Sequence, residues 1–288
     1  MYKVLISISI ILMSLNLSAQ GKELRILNKA YNSQSQTLLT QFFQNWNTEI
    51  PEVSSLELAT LSDKENDVYK VFKPFYSPNN LKRSGASEFG EINENTNYWL
   101  VQNTIRAFVT EKIYFTKDEN DSVALANIFK TYNVSESDTA NVNLWKRRYY
   151  EDPEKLKHWI SIYKQERVET FLFELNDFRP NIEPASRVLF LSQKYENILA
   201  DFLGEIDNSK NSVADKKANF IKNQIFISEG LFKDWHILTY PSVSKITFDA
   251  NFEYAEIEFQ ILHEGGEAMM KKEDGKWNLV SSKRTWIE

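Results

Sequence analysis

The residues best suited to chemistry form one short run near the C-terminus, His263-Glu264-Gly265-Gly266-Glu267. Imidazole exchanges protons near neutral pH and a carboxylate can orient it, so this grouping suits general acid–base work. Two glycines in the middle would let the backbone bulge or turn, bringing Glu264 and Glu267 toward the mouth of a sheet. His263 is then a general base or a binding group at a pocket rim, with Glu264 or Glu267 as its partner. A plainer reading stands beside that one: a histidine at a strand end, satisfied by backbone groups, next to a wet turn. The plainer reading is favoured, because neighbouring His and Glu carry little specificity on their own.

Other constellations are thinner. His158, His236 and His263 are the only histidines, and they fall on different elements with no HxxxH or HxH spacing. With no cysteine either, neither a structural zinc site nor any other metal is expected. Asp63, Glu65 and Asp67, and further on Asp118, Asn120 and Asp121, resemble fragments of calcium loops. Both groups lack the glycine and the closing glutamate that such a loop needs. Trp145-Lys146-Arg147-Arg148-Tyr149-Tyr150 interleaves basic and aromatic side chains, the material of nucleic-acid platforms and of sugar-stacking surfaces. Trp145, Arg147, Arg148 and Tyr149 are therefore binding candidates, joined by His236 and Arg284 in the terminal stretch. The GxSxG, GxxxxGK[ST] and GxGxxG patterns are absent, so esterase, P-loop and dinucleotide readings lack their signs and no cofactor is expected.

These residues need elements to hold them. From Asp234 to Glu288 the chain reads as an antiparallel meander. Ala255, Ile257, Phe259 and Ile261 alternate with Glu256, Glu258 and Gln260, the period of a strand with one buried and one wet face. Ile246 and Phe248 precede that strand, Ala268 and Met270 follow it, and Asp274-Gly275 turns into a last strand opening at Trp277 and Leu279. Unbroken alternation would aim His263 at the apolar face. Helices are expected over 34–49, 64–75, 121–132, 153–167, from Ser192 to Gly204, and over 213–222. Two short strands are expected within 98–116, and one each in 171–178 and 187–191, with a polar loop over 79–97.

The first nineteen residues have the form of a secretion signal. Lys3 supplies the positive start, Val4 to Leu15 the apolar run and Leu17-Ser18-Ala19 the small-residue exit, with cleavage expected before Gln20. Removing them takes one lysine and no acid from a chain of net charge −6, leaving −7. An acidic chain has no long-range attraction for nucleic acid, and no stable membrane insertion is expected after cleavage. The remainder divides into a helix-rich part, 20–168, and an α+β part, 169–288, unless the two form one domain.

The segment LLTQFFQNWN, and the KKEDGKW hairpin feeding NLVSSKRTWI, resemble the nuclear transport factor 2-like superfamily, which includes the SnoaL-type proteins. That resemblance implies a cone-like sheet with helices packed on it and a large helical insertion. NDFRPNIEPASRVLFLSQKYENILADFLG and WHILTYPSVSKITFD, with HEGGEA and the terminal TWIE, look like a group of uncharacterised exported proteins of Bacteroidota-type bacteria. Asp121-Ser122-Val123 and Asp138-Thr139-Ala140 resemble the O-glycosylation sites of envelope proteins from such bacteria. Neither resemblance transfers a catalytic residue. The expected fold is α+β, helices on a C-terminal meander. The expected function is a non-catalytic envelope or secreted binding protein with a pocket on the sheet's apolar face. Its partner would be a small molecule, a glycan or an envelope protein. The alternatives are a small-molecule hydrolase or isomerase using the His–Glu pair, and a carbohydrate-binding protein.

Overall fold

A computed structural model describes residues 21–78, 80–81, 92–111, 113, 168–206, 212–229 and 235–287. In chain order its elements are α1 (21–32), α2 (Gln36–Glu49), α3 (Ser55–Leu58), α4 (Asp63–Phe75), β1 (Trp99–Gln102), β2 (Ile105–Thr110), β3 (Thr170–Leu175) and β4 (Val188–Leu191). These are followed by α5 (Gln193–Leu203), α6 (Val213–Ile221), β5 (Ser228–Glu229), β6 (Trp235–His236), β7 (Ser242–Asp249), β8 (Tyr254–Ile261), β9 (Glu264–Glu273) and β10 (Lys276–Ile287). This is an α+β fold. The helices expected over 121–132 and 153–167 lie outside the described residues, as do the secretion signal, the Trp145–Tyr150 patch, His158, the Asp118–Asp121 group and both glycosylation motifs.

The meander forms as its alternation indicates. Ile246 pairs with Ile257, Ile257 with Ala268 and Met270 with Leu279, so one face is apolar through all four strands. Asp274 and Gly275 take φ of 51° and 75°, the left-handed pair that a two-residue hairpin demands. Ile246, Phe248, Ile257, Phe259, Ile261 and Trp277 are buried, with Leu279 half-buried against them. β2 then adds parallel to β7 and β3 antiparallel to β2, giving the order β10-β9-β8-β7-β2-β3. The sheet therefore takes strands from both sides of residue 168.

The apolar face is occupied. α4 begins at a capping box in which Ser62 and Glu65 satisfy each other's backbone N–H groups, and it ends one residue after Pro74. Its Val68, Val71, Phe72 and Phe75 share a helical stripe and enter the sheet's core, where Phe75 meets Phe259 at 5.2 Å between ring centres. Asp67 ties the helix down: its carboxylate accepts from Lys272 Nζ at 2.9 Å and from Trp277 Nε1 at 3.2 Å. Of the acidic group Asp63, Glu65 and Asp67, Glu65 is spent on the cap and Asp67 on the sheet. A pocket was expected on this face, and α4 packs Val68, Val71, Phe72 and Phe75 against it.

A second core joins α1, α2, α5 and α6. Leu39, Phe42, Phe43 and Trp46 follow i, i+3, i+4, i+7 spacing and are fully buried. Trp46 stacks on Tyr195 at 4.2 Å, and its Nε1 donates to the Phe190 carbonyl at 3.0 Å. Between the two cores runs a parallel pair, β1 and β4. Trp99, Val101, Val188 and Phe190 enter the sheet core, while Leu100 and Leu189 enter the helical one. A strand wet on neither face needs an unbroken apolar run, which WLV and VLF supply. Two local expectations are revised. Residues 21–32 form a helix where none was assigned, and Ser192 stands at the start of α5 without its hydroxyl making a cap bond.

Candidate functional site

The His-Glu-Gly-Gly-Glu run is taken apart by the fold. Leu262, at φ 54°, breaks the alternation between β8 and β9, and His263 comes out exposed on the turn instead of on the apolar face. Glu264, the next residue, pairs with Ile261 and so points inward; only 3% of it is exposed. Glu267 lies opposite Glu258, on the other face of the sheet. The three acid–base candidates thus occupy an exposed turn, the inner face and the outer face. The glycines do not bulge either; both sit within β9. At Gly266 a Cβ would lie 2.3 Å from Cζ of Phe259, so glycine is there to admit that ring. The irregularities fall on the partner strand, between Leu279 and Ser281 and between Arg284 and Trp286.

Two of the named candidates do meet. Arg284 pairs in register with Gly266, which puts it on the same inner face as Glu264, and its guanidinium donates to Glu264 Oε1. The arginine side chain is 32% exposed and the glutamate side chain 3%. A carboxylate at that depth needs its counter-ion, and the pair closes one end of the apolar face. His236 lies elsewhere, half-buried on the two-stranded ribbon of β5 and β6, where it pairs with Ser228.

Part of the outer face is polar without being wet. Thr110, Thr247, Asp249 and Glu256 are each at most 5% exposed, which corrects the expectation of a solvated face at Glu256. Lys245 Nζ lies 2.5 Å from Glu169 and 2.9 Å from Glu258, and Thr247 donates to Glu169 at 3.3 Å. Burial works to lower the Lys245 pKa, but the bonds to the two carboxylates outweigh it and raise the pKa above the usual lysine value.

An open groove of about 550 Å³ lies between α1, the start of α2 and α6. Tyr31 and Phe220 contribute aromatic rings to its wall and meet edge to face at 5.6 Å. Around them stand amides, among them Gln34, Asn219 and Asn223, with Lys216 as the one charged residue of the lining. Gln224 is anchored at the back by the Asn97 side chain at 3.1 Å. Amide side chains offer donors and acceptors without net charge, and the rings offer apolar surface. That is the chemistry of a hydroxyl-rich neutral ligand. Sequence reasoning did not find this groove, because its amides look like ordinary solvated helix faces. The spacing of Leu24, Leu27 and Tyr31 was the available sign that α1 exists.

No protein-family model, curated protein or solved structure matches the chain.

Proposed function

We propose that this chain is a non-catalytic binding protein that holds a neutral, hydroxyl-rich ligand such as a glycan in the groove between α1 and α6. The observation that carries the reading is the groove's lining, amides around two rings with a single lysine. Its volume of about 550 Å³ suits a ligand of one or two sugar rings. The dispersal of His263, Glu264 and Glu267 over three surroundings supports a binding role over hydrolase or isomerase chemistry, since acid–base work needs them within reach of one substrate atom. The reading also takes residues 1–19 as an export signal, placing the protein in the cell envelope or outside it.

Titration of the isotopically labelled chain with neutral oligosaccharides tests it. The side-chain amide resonances of Asn219 and Asn223 are expected to shift saturably, and Asn219→Ala with Asn223→Ala to weaken binding by about tenfold, roughly 1.4 kcal/mol. Both side chains are exposed, so the variant keeps its fold. Amide resonances indifferent to every sugar, or sugar affinity unchanged in the variant, would defeat the proposal.

A further inference from the structure

One polar group of the groove between α1 and α6 is held differently from the others. Gln34, Asn219 and Asn223 are exposed, whereas Gln224 is only 7% exposed. The Gln224 backbone is fixed on both sides: its N–H donates to the Ile221 carbonyl at 2.8 Å, and its carbonyl accepts from the Tyr98 N–H at 2.8 Å. Its side-chain oxygen accepts from Asn97 Nδ2 at 3.1 Å. The amide nitrogen is then what Gln224 has left to offer a ligand. That nitrogen donates to none of the described residues and keeps contact with solvent. The space Gln224 lines is the groove, and its free hydrogens are presented there.

A donor held in this way is selective. An exposed amide can turn to donate or accept, which suits hydroxyl groups; Gln224 cannot turn without losing Asn97. It favours a group that only accepts, a carbonyl or a carboxylate. The surroundings separate these two. Phe220 stands about one turn before Gln224, because the bond from Gln224 to Ile221 continues the last turn of α6. Phe220 and Tyr31 are both half-buried and give the groove its aromatic wall. A carboxylate makes no use of those rings, and the one cation of the lining, Lys216, is exposed, where solvent weakens its pull. An acetamido group fits better, since its carbonyl oxygen and its methyl group sit on the same carbon.

We propose, resting on the glycan reading of this groove, that the sugar it holds is an N-acetylated amino sugar, with the acetamido carbonyl accepting from Gln224 Nε2 and the methyl group against Phe220 and Tyr31. The methyl β-glycosides of glucose, N-acetylglucosamine and glucuronic acid test this by NMR titration. The second and third each differ from the first at a single substituent.

The N-acetylglucosamine glycoside is expected to bind about tenfold more tightly than the glucose glycoside, for one added hydrogen bond and one covered methyl group. It is also expected to move the Gln224 side-chain amide resonance. Gln224→Glu keeps the oxygen that accepts from Asn97 and exchanges the donor for an acceptor, so the preference is expected to vanish while the glucose glycoside still binds. A second measurement needs no variant. In the wild-type complex, Overhauser contacts are expected from the acetamido methyl group to ring protons of Phe220 or Tyr31. Equal affinities for the first two glycosides, with Asn219 and Asn223 shifting, would overturn the acetamido assignment and leave the glycan reading standing. No shift with any of the three would overturn both. Tighter binding of the glucuronide would overturn the assignment by giving Gln224 and Lys216 to a carboxylate, and so would a methyl group without contact to either ring.

Discussion

The two faces of the six-stranded sheet have opposite compositions, and both are buried along β7 and the start of β8, although the outer face opens to solvent over β9 and β10. The inner face is apolar from Ile246 to Trp277 and admits charge only at its margins, in the Glu264–Arg284 pair and in the Asp67–Lys272 pair beside Trp277. The outer face carries Lys245, Thr247, Asp249, Glu256 and Glu258, yet Thr247 is 1% exposed and Glu256 3%. Alternation in a strand therefore tells which residues share a face, and it does not tell which face is wet. Where polar residues are buried, hydrogen bonds and ion pairs have to replace the water, as Glu169 does for Lys245 and Thr247. Where apolar residues are buried, shape decides.

The largest test of that contrast is Phe259→Ala. Phe259 lies under α4 against Phe75 and over Gly266, so its removal opens a cavity and is expected to cost about 3–5 kcal/mol in chemical denaturation. A loss below about 1 kcal/mol would mean the inner face is not packed as described. Next comes Arg284→Ala, which leaves the Glu264 carboxylate inside the protein with no counter-ion. The penalty is expected near 3 kcal/mol, at the low end for a broken buried pair because Arg284 is partly exposed. Restoring most of it with Glu264→Gln in the same chain would show that the loss came from the stranded charge. A smaller effect tests the shape argument directly. Gly266→Ala is expected to cost about 1–3 kcal/mol by overpacking. Much of that penalty should disappear when Phe259 is already alanine, since the ring is the nearest obstacle. Strictly additive losses would place the Phe259 ring elsewhere.

These residues also show what was legible in advance. The inner face was readable from Ile246 to Leu279, because period-two alternation and an Asp-Gly turn are local signals. α2 was readable from apolar spacing, and the end of α5 from Gly204, which takes a φ of 73° there. The pairing of β1 with β4 and of β2 with β7 was not, because parallel partners are joined by long crossovers that leave no local mark. His263 was misplaced for a related reason: one left-handed residue, Leu262, resets the parity that the strand pattern would otherwise carry through. The groove escaped notice because it is built where α1, the start of α2 and α6 meet.

The smallest expected effect concerns the outer face, and it is visible mainly through pH. Lys245 holds two carboxylates, and its pKa is raised above that of a free lysine. A lysine whose folded pKa exceeds its unfolded pKa stabilises fully below the unfolded value, near 10.4. That contribution is lost as pH rises through the folded value. The intact chain should therefore lose stability across the alkaline range above about pH 10. Lys245→Met keeps an unbranched apolar side chain and removes the ammonium that lies 5.7 Å over the Phe108 ring. It is expected to flatten that alkaline loss relative to wild type while costing only about 1 kcal/mol at neutral pH, since the group is partly exposed and solvent screens the pairs. Arg284 stays charged throughout this range and predicts no such slope for its pair with Glu264. Parallel stability–pH curves for wild type and Lys245→Met would show that the outer face is held by something other than its charges, and the contrast between the two faces would fail there.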